Sequence, residues 1–106
     1  MTNKLEISHY IRQLVDEGLS ILQPNVRVWV KEHLVQPRRV TLSLNPDGQG
    51  VITLWLVTDH IEKQDSACRV VFDEIRSSFG LTTEMENGVN WLMGLYGSFA
   101  KAVDAM

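Results

Sequence analysis

The segment Val51–Thr58 constrains the fold more than any other part of the chain, because an extended backbone there would present apolar side chains on both of its faces. One face would carry Ile52, Leu54 and Leu56, and the other would carry Val51, Thr53, Trp55 and Val57. A strand that is apolar on both sides lies in the centre of a sheet or has a second layer on its other face. The sequence therefore predicts a sheet with a buried strand at 51–58.

Two earlier segments also alternate with the period of a half-buried strand. In the first, Val26, Val28 and Val30 alternate with Arg27, Trp29 and Lys31; in the second, Val40, Leu42 and Leu44 alternate with Arg39, Thr41 and Ser43. The sequence Asn45–Gly50 follows and has the composition of a turn, since proline presets one backbone angle and glycine accepts a positive φ. We therefore predict three consecutive strands.

The segment Leu5–Leu22 is predicted to form a helix. Its apolar residues recur at helical spacing and make one stripe, which consists of Ile7, Ile11, Leu14, Val15 and Leu22. Asn3 and Glu6 have the spacing of a capping box at the start of this helix, and Pro24 is expected to end it.

A second helix is predicted at Ser66–Phe79, with Asp65 or Ser66 as its N-cap. Its apolar stripe would consist of Cys68, Val71, Phe72, Ile75 and Phe79. Gly80 is then in position to end the helix in the left-handed conformation that glycine adopts without strain.

The last quarter of the chain fits two structures. In the first, Leu81–Glu86 and Val89–Leu95 form a hairpin around the favoured turn Asn87-Gly88, and a short helix follows the N-cap Ser98. In the second, one long helix carries a stripe of Met85, Val89, Leu92, Tyr96, Phe99 and Val103. Three glycines would each cost that helix about 1 kcal/mol relative to alanine, which favours the hairpin.

These elements predict a single α+β domain over residues 1–106. Its order is α-β-β-β-α-β-β-α, and its helices pack on one face of an antiparallel sheet of three to five strands. A chain of 106 residues buries enough surface for one core, and its 44% apolar and 22% charged residues are close to globular averages.

The chain has the features of a protein of the reducing cytoplasm. Its first residues lack the apolar core of a secretory signal, and no stretch approaches the roughly 18 apolar residues of a membrane helix. Cys68 is the single cysteine, so an internal disulfide is excluded. The net charge is −3 and the only basic doublet is Arg38-Arg39, so nucleic acid is not expected as a partner.

No segment has a recognised catalytic or cofactor-binding pattern. The glycine patterns that bind phosphates and dinucleotides are missing. His9, His33 and His60 are far apart in the sequence, so neither a metal site nor a cofactor is predicted. Cys68 lies in the stripe of the predicted second helix, so we expect a buried apolar residue and not a nucleophile.

The sequence Asp59-His60-Ile61-Glu62 is the sharpest polar cluster, and it directly follows the predicted strand at 51–58. The end of a strand suits acid–base groups. The same composition is also typical of a polar connection that leads to the next element, which is the structure that we expect. Asp59 and His60 remain candidate binding residues.

The candidate binding surface is the sheet face opposite the predicted helices. If the helices cover Val28, Leu42 and Leu54, the other face displays Arg27, Trp29, Arg39, Thr41, Ser43, Thr53, Trp55 and Val57. Tryptophan beside arginine and small hydroxyl residues is typical of a protein interface. Alternatively, the C-terminal segment with Trp91, Leu92, Met93 and Tyr96 folds over this face and makes it a second core.

Two functions follow as hypotheses. In the first, the chain is a non-enzymatic protein that self-associates as a dimer, or binds a protein partner, through the Trp29 and Trp55 face. In the second, it is a small-molecule-binding protein or a small enzyme that uses the Asp59 and His60 region. The pocket would lie beside the second helix or beneath the C-terminal segment, lined by Tyr10, Trp55, His60, Met93 and Tyr96.

Overall fold

A computed structural model describes residues 4–63 and 66–106 and has three helices and one six-stranded mixed sheet. The helices are α1 (Lys4–Ile21), α2 (Pro24–Lys31) and α3 (Phe99–Asp104). The strands are β1 (Leu34–Ser43), β2 (Val51–Thr58), β3 (Ile61–Lys63), β4 (Ser66–Asp73), β5 (Ser78–Glu84) and β6 (Asn90–Gly97). The α+β class is therefore confirmed, whereas the predicted order and number of elements differ in detail. None of the helices in these two ranges is long and apolar enough to cross a membrane.

The first helix is confirmed. Its buried side recurs at helical spacing, as the apolar stripe predicts, and carries Ile7, Ile11, Val15 and Leu19. Asn3, one half of the predicted capping box, lies outside the described residues. Pro24 occupies the first turn of α2 and thus separates the two helices.

The strand predicted at Val26–Lys31 is wrong, because this segment is helix α2. Val26, Trp29 and Val30 share one side of a helix, while Val28 is exposed. The three residues pack against the larger apolar cluster, which we call the main core and which includes Ile11, Phe72 and Phe99. The alternation of valines with polar residues is too short to separate a strand from a helix. Proline at the first helical position, which the helical N-terminus tolerates, is the signal that favours the helix.

The strand at Val51–Thr58 is confirmed with the predicted bounds as β2. It pairs antiparallel with β1, which begins at Leu34 and therefore earlier than predicted. The pairing register shifts between Leu34 and Arg38, so β1 bulges away from β2 there. The predicted turn before β2 is confirmed, and both of its glycines have positive φ.

The helix predicted at Ser66–Phe79 is also wrong. Residues Ser66–Asp73 form β4, and a turn leads into β5. β4 is buried on both sides, with Cys68, Val70 and Phe72 on one face and Val71 on the other, so its apolar residues imitate a helical stripe. Gly80 lies inside β5 and does not end a helix. The proposed N-cap Asp65 lies outside the described residues.

The hairpin prediction for the last quarter is confirmed, and the long-helix alternative is wrong. β5 and β6 pair antiparallel, and Gly88 in the turn between them has a φ of 85°. The side chain of Ser98 caps α3 by accepting a hydrogen bond from the backbone of Lys101, as the sequence predicts.

The strand pairings form a closed cycle. β1 pairs with β2, β2 with β4, β4 with β5, β5 with β6, and β6 returns to β1 through the parallel pair Ser43 and Trp91. The sheet is therefore mixed and not purely antiparallel as predicted. Because the strands close on themselves, one face of the sheet lines the inside of the cycle and the other faces outward.

Each face of the sheet has its own apolar cluster. All three helices pack on one face, which we call the outer face, where the cluster includes Trp55, Val57, Val70 and Phe72. The inner face carries a smaller cluster, built around Leu42, Leu54, Leu56 and Val71, that contains no helix residue. The prediction that helices cover Leu42 and Leu54 is therefore wrong, since they cover the Trp55 side. The second half of β2, residues 54–58, is buried on both faces as its composition predicts, whereas Val51 and Thr53 in the first half are exposed.

Candidate functional site

Four of the predicted binding residues lie together on the outer face of β1 and β2. Arg39 is paired with Trp55, and Thr41 is paired with Thr53. Paired residues of antiparallel strands project to the same side of the sheet. The alternation in the sequence therefore placed these four residues on one face correctly, although it misplaced the helices that cover part of it.

Trp55 is the buried support of this surface. Its side chain is only 3% exposed, and its indole nitrogen donates a hydrogen bond of 3.2 Å to the carboxylate of Glu74. The guanidinium of Arg39 lies 5.0 Å from the centroid of the Trp55 ring and forms a 3.0 Å ion pair with the same carboxylate. Arg39 thus has a fixed position above an aromatic ring while its own side chain stays exposed.

Glu74 was missed by the sequence analysis, because it follows β4, which was assigned to a helix. The β4–β5 turn that contains it is ordered by Asp73, whose buried carboxylate accepts hydrogen bonds from the backbone of Ile75 and Arg76. Ile75, next to Glu74, is 88% exposed. An isoleucine this exposed at the tip of a turn contributes nothing to the core, so it is available to a partner.

The outer face beyond Trp55 is open. Thr41 and Thr53 are exposed and lie 3.3 Å apart, hydroxyl to hydroxyl. Val51, at the start of β2, is 71% exposed. The helices cover only the Trp55 and Val57 end of this face, so hydroxyl and apolar groups remain accessible at the other end.

The first half of β2 has a free edge. β1 pairs with the whole length of β2, but on the other side β4 pairs only with Trp55 and Leu56. No other strand among the described residues pairs with 51–54 on that side. The backbone N–H of Leu44 donates to the carbonyl of Gly50, so the backbone groups of Val51 and Thr53 point away from β1 and toward the free edge.

Arg27 and Trp29, the other half of the predicted surface, are not on the sheet. Both belong to α2, where Trp29 is half-buried against the main core. The guanidinium of Arg27 donates to two carbonyls in the last turn of α1, at 2.8 Å to Leu19 and 3.3 Å to Ser20, and to the carbonyl of Leu22 just after the helix at 3.2 Å. A cation at the carbonyl end of a helix satisfies free acceptors and the helix dipole, so Arg27 has a structural role.

Asp59, one of the predicted polar pair, contacts His33. Asp59 Oδ1 lies 2.6 Å from His33 Nδ1, and the backbone N–H of Asp59 donates to the carbonyl of His33. His60 is exposed. The His33–Asp59 pair could not be predicted from local sequence, because the two residues meet only through the pairing of Leu34 with Thr58. Tyr96, the last predicted residue, is half-buried against the main core.

A cleft of about 320 Å³ lies between α1 and the bulged start of β1. Its walls are formed by Ile11, Arg12, Val15, Asp16, Leu34, Val35, Gln36, Pro37 and Val57. The side chain of Arg12 donates to Gln36 across the cleft. Apolar walls with a few polar groups are the usual composition of a small-molecule site. This position differs from the predicted pocket, whose residues Tyr10, Met93 and Tyr96 do not line the cleft.

Cys68 is buried, as predicted, although on β4 and not on a helix. Burial raises the pKa of its thiol, so the nucleophilic thiolate is disfavoured. Within residues 4–63 and 66–106, no three side chains of the His, Cys, Asp and Glu types converge in a way that could hold a metal ion.

Comparisons with known proteins return no match. No protein-family model matches the chain, and no curated protein and no solved structure is similar enough to count as a relative. A proposal about function therefore depends on the geometry of the chain itself.

Proposed function

We propose that this chain is a non-enzymatic binding protein that pairs with an extended strand along the free edge of β2. A second copy of the chain is the partner that we propose, which gives a dimer with one continuous sheet across the interface. The carrying observation is the unpaired outer edge of 51–54, where the backbone groups of Val51 and Thr53 lack a neighbouring strand among the described residues. Unpaired backbone donors and acceptors on a strand are a template for another strand.

The sequence of this edge supports strand addition. Val51, Ile52, Thr53 and Leu54 all favour the extended conformation or apolar contacts, and none is charged or proline. Proteins usually protect free edges with charge, proline or a bulge. The bulged start of β1 has these protections, with Pro37 and Arg38-Arg39, whereas 51–54 has none.

The surface beside the edge supplies side chains for the same interface. Arg39 is preorganised over Trp55 and held by Glu74, so little conformational entropy is lost when a partner contacts it. The exposed Val51 and Ile75 add apolar area next to the edge. A second copy meets the same surface across a two-fold axis, and each Arg39–Glu74 pair is already neutralised within its own chain.

The test is sedimentation of the purified protein across a concentration series, with Thr53→Pro compared with Thr53→Val. The N–H of residue 53 points toward the free edge, so replacing the residue with proline removes this donor without removing a hydrogen bond to β1. Strands tolerate proline at such edge positions. We expect the wild type and Thr53→Val to dimerise, and Thr53→Pro to weaken the dimer by about tenfold or more.

Circular dichroism and thermal melting of the monomeric fraction serve as the folding control for both variants. A wild-type chain that stays monomeric throughout the series contradicts self-association. Equal dimerisation of Thr53→Pro and Thr53→Val would show that the interface lies elsewhere. If the chain is a monomer and hydrogen exchange at the amides of 51–54 slows only when another protein is added, the edge pairs with that protein and not with a second copy.

The α1–β1 cleft favours a second function, the binding of a small molecule. Its polar groups Arg12, Asp16 and Gln36 lie beside apolar walls. The His33–Asp59 pair is close to the cleft along the chain, since His33 directly precedes the lining residue Leu34 and Asp59 lies two positions after the lining residue Val57. We expect a ligand of this cleft to raise the melting temperature, because binding stabilises the folded state. Val15→Trp fills the cleft and should abolish the shift, whereas Val28→Trp on the exposed side of α2 should preserve it.

A further inference from the structure

Three buried side-chain donors among the described residues have no hydrogen-bond partner, and they lie on three adjacent strands. They are Arg69 Nε on β4, Thr82 Oγ1 on β5 and Trp91 Nε1 on β6. Native proteins satisfy nearly all buried polar groups, since a buried donor without a partner loses its hydrogen bonds to water and gains none in return. Trp91 pairs with Thr83, the neighbour of Thr82 on β5, so its side chain lies on the face opposite to that of Thr82. The two donors that share a face, those of Arg69 and Thr82, call for an acceptor.

Two of these donors face each other on the inner face of the sheet. Arg69 and Thr82 are directly paired across β4 and β5. Arg69 lies two positions before Val71 on β4, so the side chains of Arg69 and of its partner Thr82 project to the same face as Val71, which belongs to the inner cluster. Thr82 is fully buried. Asn90 on β6 accepts a 3.1 Å hydrogen bond from the guanidinium of Arg69, which holds the guanidinium in place and leaves its Nε–H free.

A second arginine, Arg38 on β1, lies on the same face of the sheet. Arg38 pairs with Leu56 of the inner cluster, so it shares the inner face with Arg69. Burial lowers the pKa of Arg69, the charge of Arg38 lowers it further, and the charge of Glu84 partly opposes both. Two positive charges on the same face of the sheet repel, so this arrangement favours an anionic occupant.

We propose that Arg38, Arg69 and Thr82 form a binding site for an oxyanion, namely a phosphate or carboxylate group. Such a group accepts several hydrogen bonds at once, from the Nε–H of Arg69, the hydroxyl of Thr82 and the guanidinium of Arg38. It also supplies the negative charge that Glu84 provides only in part. The site lies on the inner face and does not depend on the proposed pairing along β2.

The experiment measures binding of inorganic phosphate and, separately, of acetate by isothermal titration and thermal melting, with sodium chloride at equal ionic strength as reference. The reference is needed because phosphate also stabilises proteins by exclusion from their surface, an effect that does not saturate. We expect saturable binding of at least one of the two anions. Binding of phosphate would indicate a site for a tetrahedral oxyanion, and binding of acetate a site for a planar carboxylate.

Variants locate the binding on these residues. Arg69→Gln and Arg38→Gln should each weaken the affinity by about tenfold or more, because each removes a charge-assisted donor. Thr82→Val should weaken it while the ligand-free protein stays folded. Glu84→Gln should strengthen it, because an opposing negative charge is removed. Lys31→Gln is the control, since this cation is exposed on α2, outside the proposed site, and the variant should bind the anion like the wild type.

Two results overturn the proposal. The first is stabilisation by phosphate and acetate that never exceeds the sodium chloride reference or never saturates. The second is saturable binding that Lys31→Gln reduces as strongly as Arg38→Gln, or that survives both Arg69→Gln and Thr82→Val, because the anion would then lie elsewhere.

Discussion

Two regions of the sheet bury a threonine completely, and they treat its hydroxyl in opposite ways. At the end of β2, Thr58 donates to the carbonyl of Asp59 and accepts from the backbone N–H of Val70, each at 2.9 Å. In the middle of β5, the equally buried Thr82 has no partner for its hydroxyl. The satisfied hydroxyl joins two strands, whereas the unsatisfied one provides no structural benefit to the chain alone.

The difference separates a structural polar group from a candidate ligand group. The turn after β4 resembles the Thr58 region, because the buried carboxylate of Asp73 is fully occupied by Arg76 and the backbone of Ile75. Neither region offers an unused donor to a ligand. The Arg69 and Thr82 region does, and this contrast is the reason to look for an oxyanion there.

The largest effect that we predict tests whether the Thr82 region is simply loosely packed. Gly80, two positions before Thr82 on the same strand, has no room for a side chain, since an added Cβ would lie 2.5 Å from the carbonyl of Gly94. Gly80→Ala should therefore lower the free energy of unfolding by about 3 kcal/mol, measured by urea denaturation. A small loss would mean that this part of the sheet relaxes easily.

Gly88→Ala is the control for that measurement. Its added Cβ meets nothing within 4 Å, and only its φ of 85° opposes the substitution. We expect a loss of about 1 kcal/mol there, from backbone conformation alone. The comparison separates crowding from the general cost of replacing a glycine.

The buried carboxylate of Asp73 should make the stability of the protein depend on pH. Burial raises the pKa of Asp73, but hydrogen bonds from the side chain and backbone of Arg76 and from Ile75 outweigh it, so the pKa is below its usual value. The folded state therefore gains stability above the unfolded pKa of about 3.9, and this gain is lost as the pH falls through the lower folded pKa. Asp73→Asn should cost about 2 kcal/mol at pH 7.

Urea denaturation of the wild type and Asp73→Asn at several pH values measures this linkage. The stability difference between the two proteins should be constant at neutral pH. It should shrink below about pH 4, where the unfolded state becomes protonated, and level off once the pH is also below the lower folded pKa. A difference that does not depend on pH would show that Asp73 acts through packing and not through its charge.

Local signals account for the parts of the fold that could be predicted from sequence. β2, the turn before it, the β5–β6 hairpin and the Ser98 cap each depend on residues that are adjacent in the chain. α2 and β4 could not be predicted in this way. A short run of alternating valines fits either structure, and a strand that is buried on both faces has the apolar spacing of a helix.

The candidate site shows the same limit. Alternation placed Arg39, Thr41, Thr53 and Trp55 on one face, but the burial of Trp55 depends on which face the helices cover, which no short segment encodes. His33 and Glu74 enter only through pairings between distant strands. The unpartnered donors are likewise visible only once β4, β5 and β6 are side by side.

A smaller effect is expected at the satisfied threonine. Thr58→Val removes one donor and one acceptor while the side-chain volume is nearly kept, and it leaves the buried N–H of Val70 without a partner. We expect a loss of about 1–2 kcal/mol in the free energy of unfolding. Thr53→Val, at an exposed position of the same strand, is the control and should change the stability of the monomer by less than about 0.5 kcal/mol.

The smallest effect is expected at Thr82, and it decides the comparison between the two threonines. Because its buried hydroxyl has no partner, Thr82→Val removes a desolvated donor without leaving another group unpaired. The free energy of unfolding in dilute chloride buffer should stay within about 0.5 kcal/mol of the wild type or rise, in contrast to Thr58→Val. A loss as large as that of Thr58→Val would show that the hydroxyl is satisfied within the protein or by a bound water. In that case Thr82 would belong with Thr58 as a structural residue, and the oxyanion site would retain only its two arginines.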